Sequence, residues 1–224
     1  MHYSLKASIF ISLIFFTVGC SFTGPKVNIL KNYFETDKAI IETEIPEFKN
    51  LNDKNFENII NSEYNKLINQ WVEEFSENCP QDTSEKCQFS LKQEIKISSS
   101  EIISVVGEAY MFTDGIHGAY QRIAKNIDNK KNIELKLSDL FLDDKYPDAI
   151  NREIEKILSV KSEEYHDLWE KPILSSMHEE LFYITKDSLV IFYPPYELSY
   201  YARGFVEFSI PLKNLSGYLK PEYS

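Results

Sequence analysis

Between positions 51 and 78 the apolar residues recur every three or four places: Phe56, Ile59, Ile60, Tyr64, Leu67, Ile68, Trp71, Val72 and Phe75. That spacing is one face of a long α-helix, and a stripe this continuous needs an apolar layer to lie against. Asn52 or Asp53 can cap its start, and Cys79-Pro80 ends it. The covering layer is expected from segments of period two. Residues 88–98 alternate through Phe89, Leu91, Ile95 and Ile97. Residues 101–112 are richer in apolar side chains, and 98–101 is short enough for a hairpin turn. Segments 120–127 and 133–137 flank Asp128-Asn129-Lys130-Lys131, a second hairpin. Upstream, 39–48 reads as a strand that Pro46 limits to an edge or an early end. Pro147 with Ile150, Ile154, Ile157 and Leu158 marks a second helix over 148–159. Segments 181–186, 188–193 and 205–212 read as three closing strands, the last reached across a loop at 194–204. The expectation is an α+β fold: a mostly antiparallel sheet with two main helices packed on one face.

The N-terminus bears on location. Lys6 precedes an apolar run over 7–18, too short for the roughly 20 residues of a spanning helix. Thr17-Val18-Gly19-Cys20 looks like a bacterial lipoprotein box, with Thr17 where Leu is usual. Residues 1–19 are thus expected to be a lipoprotein signal peptide, and Cys20 the acylated first residue of the mature chain. An ordinary secretory signal is the alternative. Each buried acyl CH₂ contributes about 0.8 kcal/mol, and more than one chain makes anchoring stable. Ser21 is not the Asp that usually retains such proteins in an inner membrane. The expected place is the cell envelope, on the outer membrane facing the periplasm if the source is Gram-negative. Residues 20–38, polar and containing Gly24-Pro25, read as a tether whose 21–35 portion is alternatively an edge strand. A single domain is expected over 39–218.

The net charge of the chain is −11. Removing residues 1–19 takes away one Lys and no acid, so the mature charge becomes −12. Such acidity opposes binding to nucleic acid or anionic lipid head groups. It attracts cationic partners, or simply keeps a surface protein soluble. Beyond Cys20, only Cys79 and Cys87 remain, bracketing a short Pro- and Asp-containing loop. In an oxidising compartment they are expected to pair.

Candidate binding residues lie in two loops. His117 sits between Gly115 and Gly118 and reads as a ligand, a general base or, more simply, a structural histidine bonded to loop backbone. Pro194-Pro195 stiffens the approach to Tyr196, Glu197, Tyr200 and Tyr201. These tyrosines either pack on their own sheet edge or form a protein-binding surface. Catalytic signatures are not apparent. No Gly-x-Ser-x-Gly elbow occurs, and His2, His117, His166 and His178 make no metal-binding spacing. Carboxylate pairs such as Asp143-Asp144 and Glu179-Glu180 are too common here to single out a site.

Two series of motifs resemble a known family. The first is Asp114-Gly115-Ile116-His117-Gly118, Asn126-Ile127-Asp128 and the stretch 135–141, LKLSDLF. The second is Phe182-Tyr183-Ile184-Thr185, Tyr193-Pro194-Pro195-Tyr196-Glu197 and Tyr201-Ala202-Arg203-Gly204. In order and spacing they resemble the PdaC/RsiV-like domain, which accompanies the catalytic domain of some secreted peptidoglycan deacetylases and forms the extracellular part of lysozyme-sensing anti-sigma factors. The resemblance covers about 40–215, with Asp114 and Ile116 where the family usually has Gly and Ala. The metal-binding catalytic module of the deacetylases, with its Asp and paired His, is not recognisable here. With the lipoprotein box and the missing catalytic set, the resemblance leads to the expectation of a non-enzymatic envelope lipoprotein without cofactor or metal. Its binding face would include His117, Tyr196, Glu197, Tyr200 and Tyr201. The partner would be a basic, lysozyme-type muramidase or peptidoglycan itself. A peptidoglycan-modifying hydrolase with an unfamiliar active site is the rival reading.

Overall fold

A computed structural model describes residues 24–80, 85–174 and 179–224 of the chain. The expected signal peptide over 1–19 and the lipidation site Cys20 lie outside the described residues. No described helix is long and apolar enough to cross a membrane.

The apolar stripe forms α1 (Lys54–Asn78). Asp53 caps it, its carboxylate accepting from the backbone N–H groups of Asn55 and Phe56 at 2.7 and 2.9 Å. Ile60, Tyr64, Ile68 and Phe75 are buried from α1 against Phe89, Leu91, Ile103, Val105 and Ala109 of a six-stranded sheet. The strands lie in chain order: β1 (Lys26–Glu35), β2 (Ala39–Lys49), β3 (Cys87–Ser98), β4 (Ile102–Phe112), β5 (Ala119–Asp128) and β6 (Ile133–Glu134). All neighbours are antiparallel except β2 and β3, which α1 joins as a crossover; their parallel pairing runs only from Ala39–Cys87 to Thr43–Leu91. Pro46 falls beyond that pairing, so its missing N–H breaks no bond to β3. Cys79 and Cys87 form a disulfide that ties the end of α1 to the start of β3.

One boundary needs correction. Residues 20–38 were expected as a tether, with an edge strand as the alternative for 21–35; residues 26–35 are that edge strand, β1, paired with β2 along their whole length. Their side chains are half-buried or exposed, so no apolar alternation announces the strand.

The C-terminal strands β7 (Phe182–Ile184), β8 (Ser188–Tyr193) and β9 (Val206–Pro211) make a separate antiparallel sheet. Leu189 to Tyr193 are buried without a break, because this sheet is covered on both faces. On one face Leu189, Ile191, Phe208 and Ile210 meet Ala149, Ile150 and Ile154 of α2 (Tyr146–Val160). On the other, Tyr183, Val190 and Phe192 meet Val106 and Ala124 of the large sheet. The α+β class, the two helices and the mostly antiparallel strands are as expected. The strands divide into two stacked sheets, and each helix caps the outer face of its own, giving layers α1, large sheet, small sheet, α2.

Polar groups pin the two sheets together. Ser104 donates to Asn126 Oδ1 at 2.7 Å, and Asn126 Nδ2 donates to the Phe182 carbonyl at 2.8 Å. The Ile184 N–H donates to Ser104 Oγ at 3.1 Å. Two residues on, Asp128 Oδ1 accepts from the N–H groups of Lys130 and Lys131, both at 2.9 Å, closing the β5–β6 turn. Asn126 and Asp128 therefore hold the fold.

Candidate functional site

The loop 113–118 joins β4 to β5, and Gly115 lies in it at φ +95°. Gly118 answers a different need. A Cβ there would come 2.5 Å from both the Met111 carbonyl oxygen and the Tyr110 ring, so only glycine lets the loop close over the end of β4. The second loop, 194–204, joins β8 to β9. Tyr196 adopts φ +72°, unusual for a residue with a bulky side chain, and Gly204 the same φ where the chain turns into β9.

The two loops meet. The His117 ring stacks on Tyr201 with centroids 4.4 Å apart and planes 22° from parallel. The Tyr201 hydroxyl donates to the Gly118 carbonyl. His117 Nδ1 lies 3.0 Å from the same oxygen, and since a carbonyl only accepts, Nδ1 carries the proton in this bond. The expected structural bond from His117 to loop backbone is present, and the ring also serves as one half of an inter-loop stack. Around Tyr201 stand Tyr196 at 5.5 Å and Tyr120 at 6.0 Å, and Tyr110 packs on Tyr120 at 5.0 Å. Burial, and the surrounding tyrosines, push the Tyr201 phenol above its ordinary pKa, so it stays a neutral donor. Tyr196 and Tyr120 remain 59% and 40% exposed and Ile116 fully so, which leaves an aromatic platform open at the surface.

Of the five expected partner-binding residues, His117, Tyr196 and Tyr201 come together. Tyr200 instead hydrogen-bonds Asp167, on the segment that follows α2. That carboxylate also pairs with Arg203 at 2.6 Å, and the Ser199 hydroxyl donates to the Asp167 carbonyl at 3.1 Å. Burial opposes the Asp167 charge, but the bonds from Tyr200 and Arg203 outweigh it and hold the carboxyl below its ordinary range. Glu197 gives its carbonyl to the Trp169 indole N–H at 3.4 Å. Tyr200 and Glu197 thus fasten the loop to its support. Two residues the sequence reading passed over belong to the platform, Tyr110 and Tyr120. They face each other in the β4–β5 register, a signal that exists only once the register is known.

Beside the platform lies a cavity of about 380 Å³ lined by Trp71, Tyr120, Leu181, Phe192, Pro194 and Phe205. Arg122 forms one side of it. Its guanidinium pairs with Glu108 at 2.7 Å and with Glu207, and stacks over the Phe205 ring at 4.0 Å. Among the described residues no three His, Cys, Asp or Glu side chains are grouped to hold a metal ion. The arrangement offers ring faces, a neutral phenol and shared carboxylates. It suits contact with cationic or apolar groups.

Comparison with known proteins matches two family models in tandem. One, described as "Deacetylase PdaC", matches residues 33–120; the other, "Protein of unknown function (DUF3298)", matches 138–213. Among curated proteins none matches. A DUF3298 family member from Bacteroides fragilis superposes with a TM-score of 0.66 at 17% identity, covering 89% of this chain and 96% of its own. A DUF3298 family protein from Pseudomonas aeruginosa gives 0.62 at 13% identity, covering 89% and 95%. At such identities the likeness is one of fold. The first model ends within β5 and the second begins just before α2, so the large sheet and the small sheet correspond to the two matches.

Proposed function

Because the chain carries a PdaC/DUF3298-like domain, we propose that it is a cell-envelope lipoprotein whose domain binds a partner without catalysing a reaction. The partner in this reading is a basic, lysozyme-type muramidase, and binding inhibits it, confers immunity to it or senses it. The observation that carries the reading is the platform of His117, Tyr201, Tyr196 and Tyr120 on a chain of net charge −11. Tyrosine faces take up Arg and Lys side chains, and an acidic surface speeds the approach of a basic protein. Peptidoglycan is the other ligand with which this family resemblance is compatible, and a basic protein suits the charge better. Acylation of Cys20 would hold the domain at a membrane surface, where captured enzyme is retained near the wall.

The test is a pull-down and inhibition assay against purified basic muramidases. Binding is expected at low salt, weakening as ionic strength rises, and Tyr201→Ala is expected to lower affinity at least tenfold. Failure to bind at low salt, where attraction is strongest, would remove the muramidase. A Cys20→Ala variant is expected in the soluble fraction with its binding intact. A second reading draws on the deacetylase name of the model over 33–120: a peptidoglycan-modifying hydrolase. Purified domain incubated with peptidoglycan, with no mass change in the released fragments, would count against it.

A further inference from the structure

Strand β6 pairs with β5 only at Ile127 and Asp128. The rest of β5 has no strand partner on that side among the described residues, and it is exposed at Tyr120, half-buried at Arg122 and buried at Ala124. One bond sets the direction of its backbone groups. The Leu135 N–H donates to the Asn126 carbonyl at 2.7 Å, so Asn126 turns its backbone away from β4. The β4–β5 register runs unbroken from Ile102–Asp128 to Met111–Ala119, and backbone direction alternates along an antiparallel strand. Ala124, Arg122 and Tyr120 therefore direct their N–H and C=O groups outward as well. None of the three has a backbone partner across that edge among the described residues. Such a row is a template for another strand.

The walls beside this edge fit an occupant. The 380 Å³ cavity runs along it, with Trp71 of α1 on one side and Phe205, Pro194 and Leu181 on the other. Side chains of an added strand would alternate between those walls. Arg122 is shared by Glu108 and Glu207, one guanidinium to two carboxylates, so this cluster keeps a negative charge within an acidic chain. We propose that the edge of β5 at Tyr120, Arg122 and Ala124 binds an extended segment of a cationic protein by strand addition. Apolar side chains of that segment enter between Trp71 and Phe205, and its Lys or Arg residues lie near Glu108 and Glu207. A second copy of this chain fits worse. Two chains of net charge −11 repel, and a two-fold β5–β5 pair centred on Arg122 sets that residue against itself. The proposal rests on the reading of this domain as a protein-binding module, and adds where and how it binds.

The probe is an acetylated, amidated heptapeptide alternating Lys with Leu, Trp and Val, added to isotope-labelled domain at low salt. Hydrogen exchange is expected to slow at least tenfold at the amides of Tyr120, Arg122 and Ala124, while Gln121 and Ile123, whose amides face β4, change little. Tyr120→Pro removes one outward N–H and no bond to β4, and is expected to weaken binding at least tenfold more than Tyr120→Ala, which keeps that N–H. The exchange pattern needs no variant and decides the matter even if Tyr120→Pro does not fold. No binding, binding without that alternating protection, or equal loss in the two variants would overturn the proposal. So would a concentration-dependent dimer protecting the same amides. Lysozyme bound by the wild type without protection of these edge amides would sink this site and spare the muramidase reading. Peptide protection without lysozyme binding would do the reverse.

Discussion

Replacing Asn126 with Ala is expected to destabilise the domain by about 2–4 kcal/mol. Asn126 is only 2% exposed, and its side chain spans the space between the two sheets. Its Nδ2 donates to the carbonyl of Phe182, a residue with no exposed surface, and its Oδ1 accepts from the fully buried Ser104 hydroxyl. Truncation orphans the carbonyl, which costs about 1–3 kcal/mol, and strips the hydroxyl of its acceptor, which adds about 1 kcal/mol. For a small domain whose urea dependence is about 2 kcal/mol per molar, the unfolding midpoint should fall by about 1–2 M with its slope unchanged. Ser104→Ala removes the same bridge from the other side, along with the acceptor for the Ile184 N–H. The double variant should therefore be less destabilised than the two singles added together. A midpoint shift below about 0.3 M for Asn126→Ala, on the same urea scale, would refute the bridge as a holder of the two sheets.

Gly118→Ala should destabilise by about 1–3 kcal/mol and disturb near-ultraviolet circular dichroism from the tyrosines, because the new methyl meets the Met111 backbone and the Tyr110 ring at 2.5 Å. Changing Cys79 and Cys87 together to Ala frees a link between residues eight apart in sequence, and thermal unfolding should report a loss of about 2–3 kcal/mol. Acid should unfold the domain for a definable reason. Burial opposes the Asp128 charge, but bonds from Tyr223 and the Lys131 and Lys130 amides, with the Lys131 charge, hold its carboxyl below the ordinary value; at Glu179, burial is likewise outweighed by Tyr146 and Ser138. Their stabilisation is full above the unfolded values of about 4 and is lost as pH falls through the lower folded ones. Asp128→Asn should flatten the acid limb of a stability–pH curve measured by urea titration; an unchanged limb would remove Asp128 from the account.

The long helix shows how much of this fold was open to reading. Its stripe from Phe56 to Phe75 and the Asp53 cap are properties of neighbours within a turn or two, and α1 spans Lys54–Asn78 accordingly. The hairpin at 98–101, the Asp128 turn and the second helix are of the same local kind. Strand β1 was open only as the alternative to a tether because nothing local marks it: its side chains are not buried in alternation, and its partner β2 makes it a strand. The division into two sheets was equally hidden. A run such as Leu189 to Tyr193 says that both faces are covered, without saying by what.

The site follows the same division. The glycine loop around His117 and the tyrosine loop around Tyr201 each stand out in the sequence, and their types bear on binding. That Tyr201 reaches a carbonyl 83 residues away, that Tyr110 and Tyr120 complete the platform, and that Tyr200 and Glu197 turn to the loop's support are decided by packing. The sequence by itself determined the periodic elements, the caps and turns, and the acidity, because each depends on near neighbours or on simple counts. Only the tertiary structure decided which distant residues meet, because burial between layers and strand register act through pairings that no local pattern encodes.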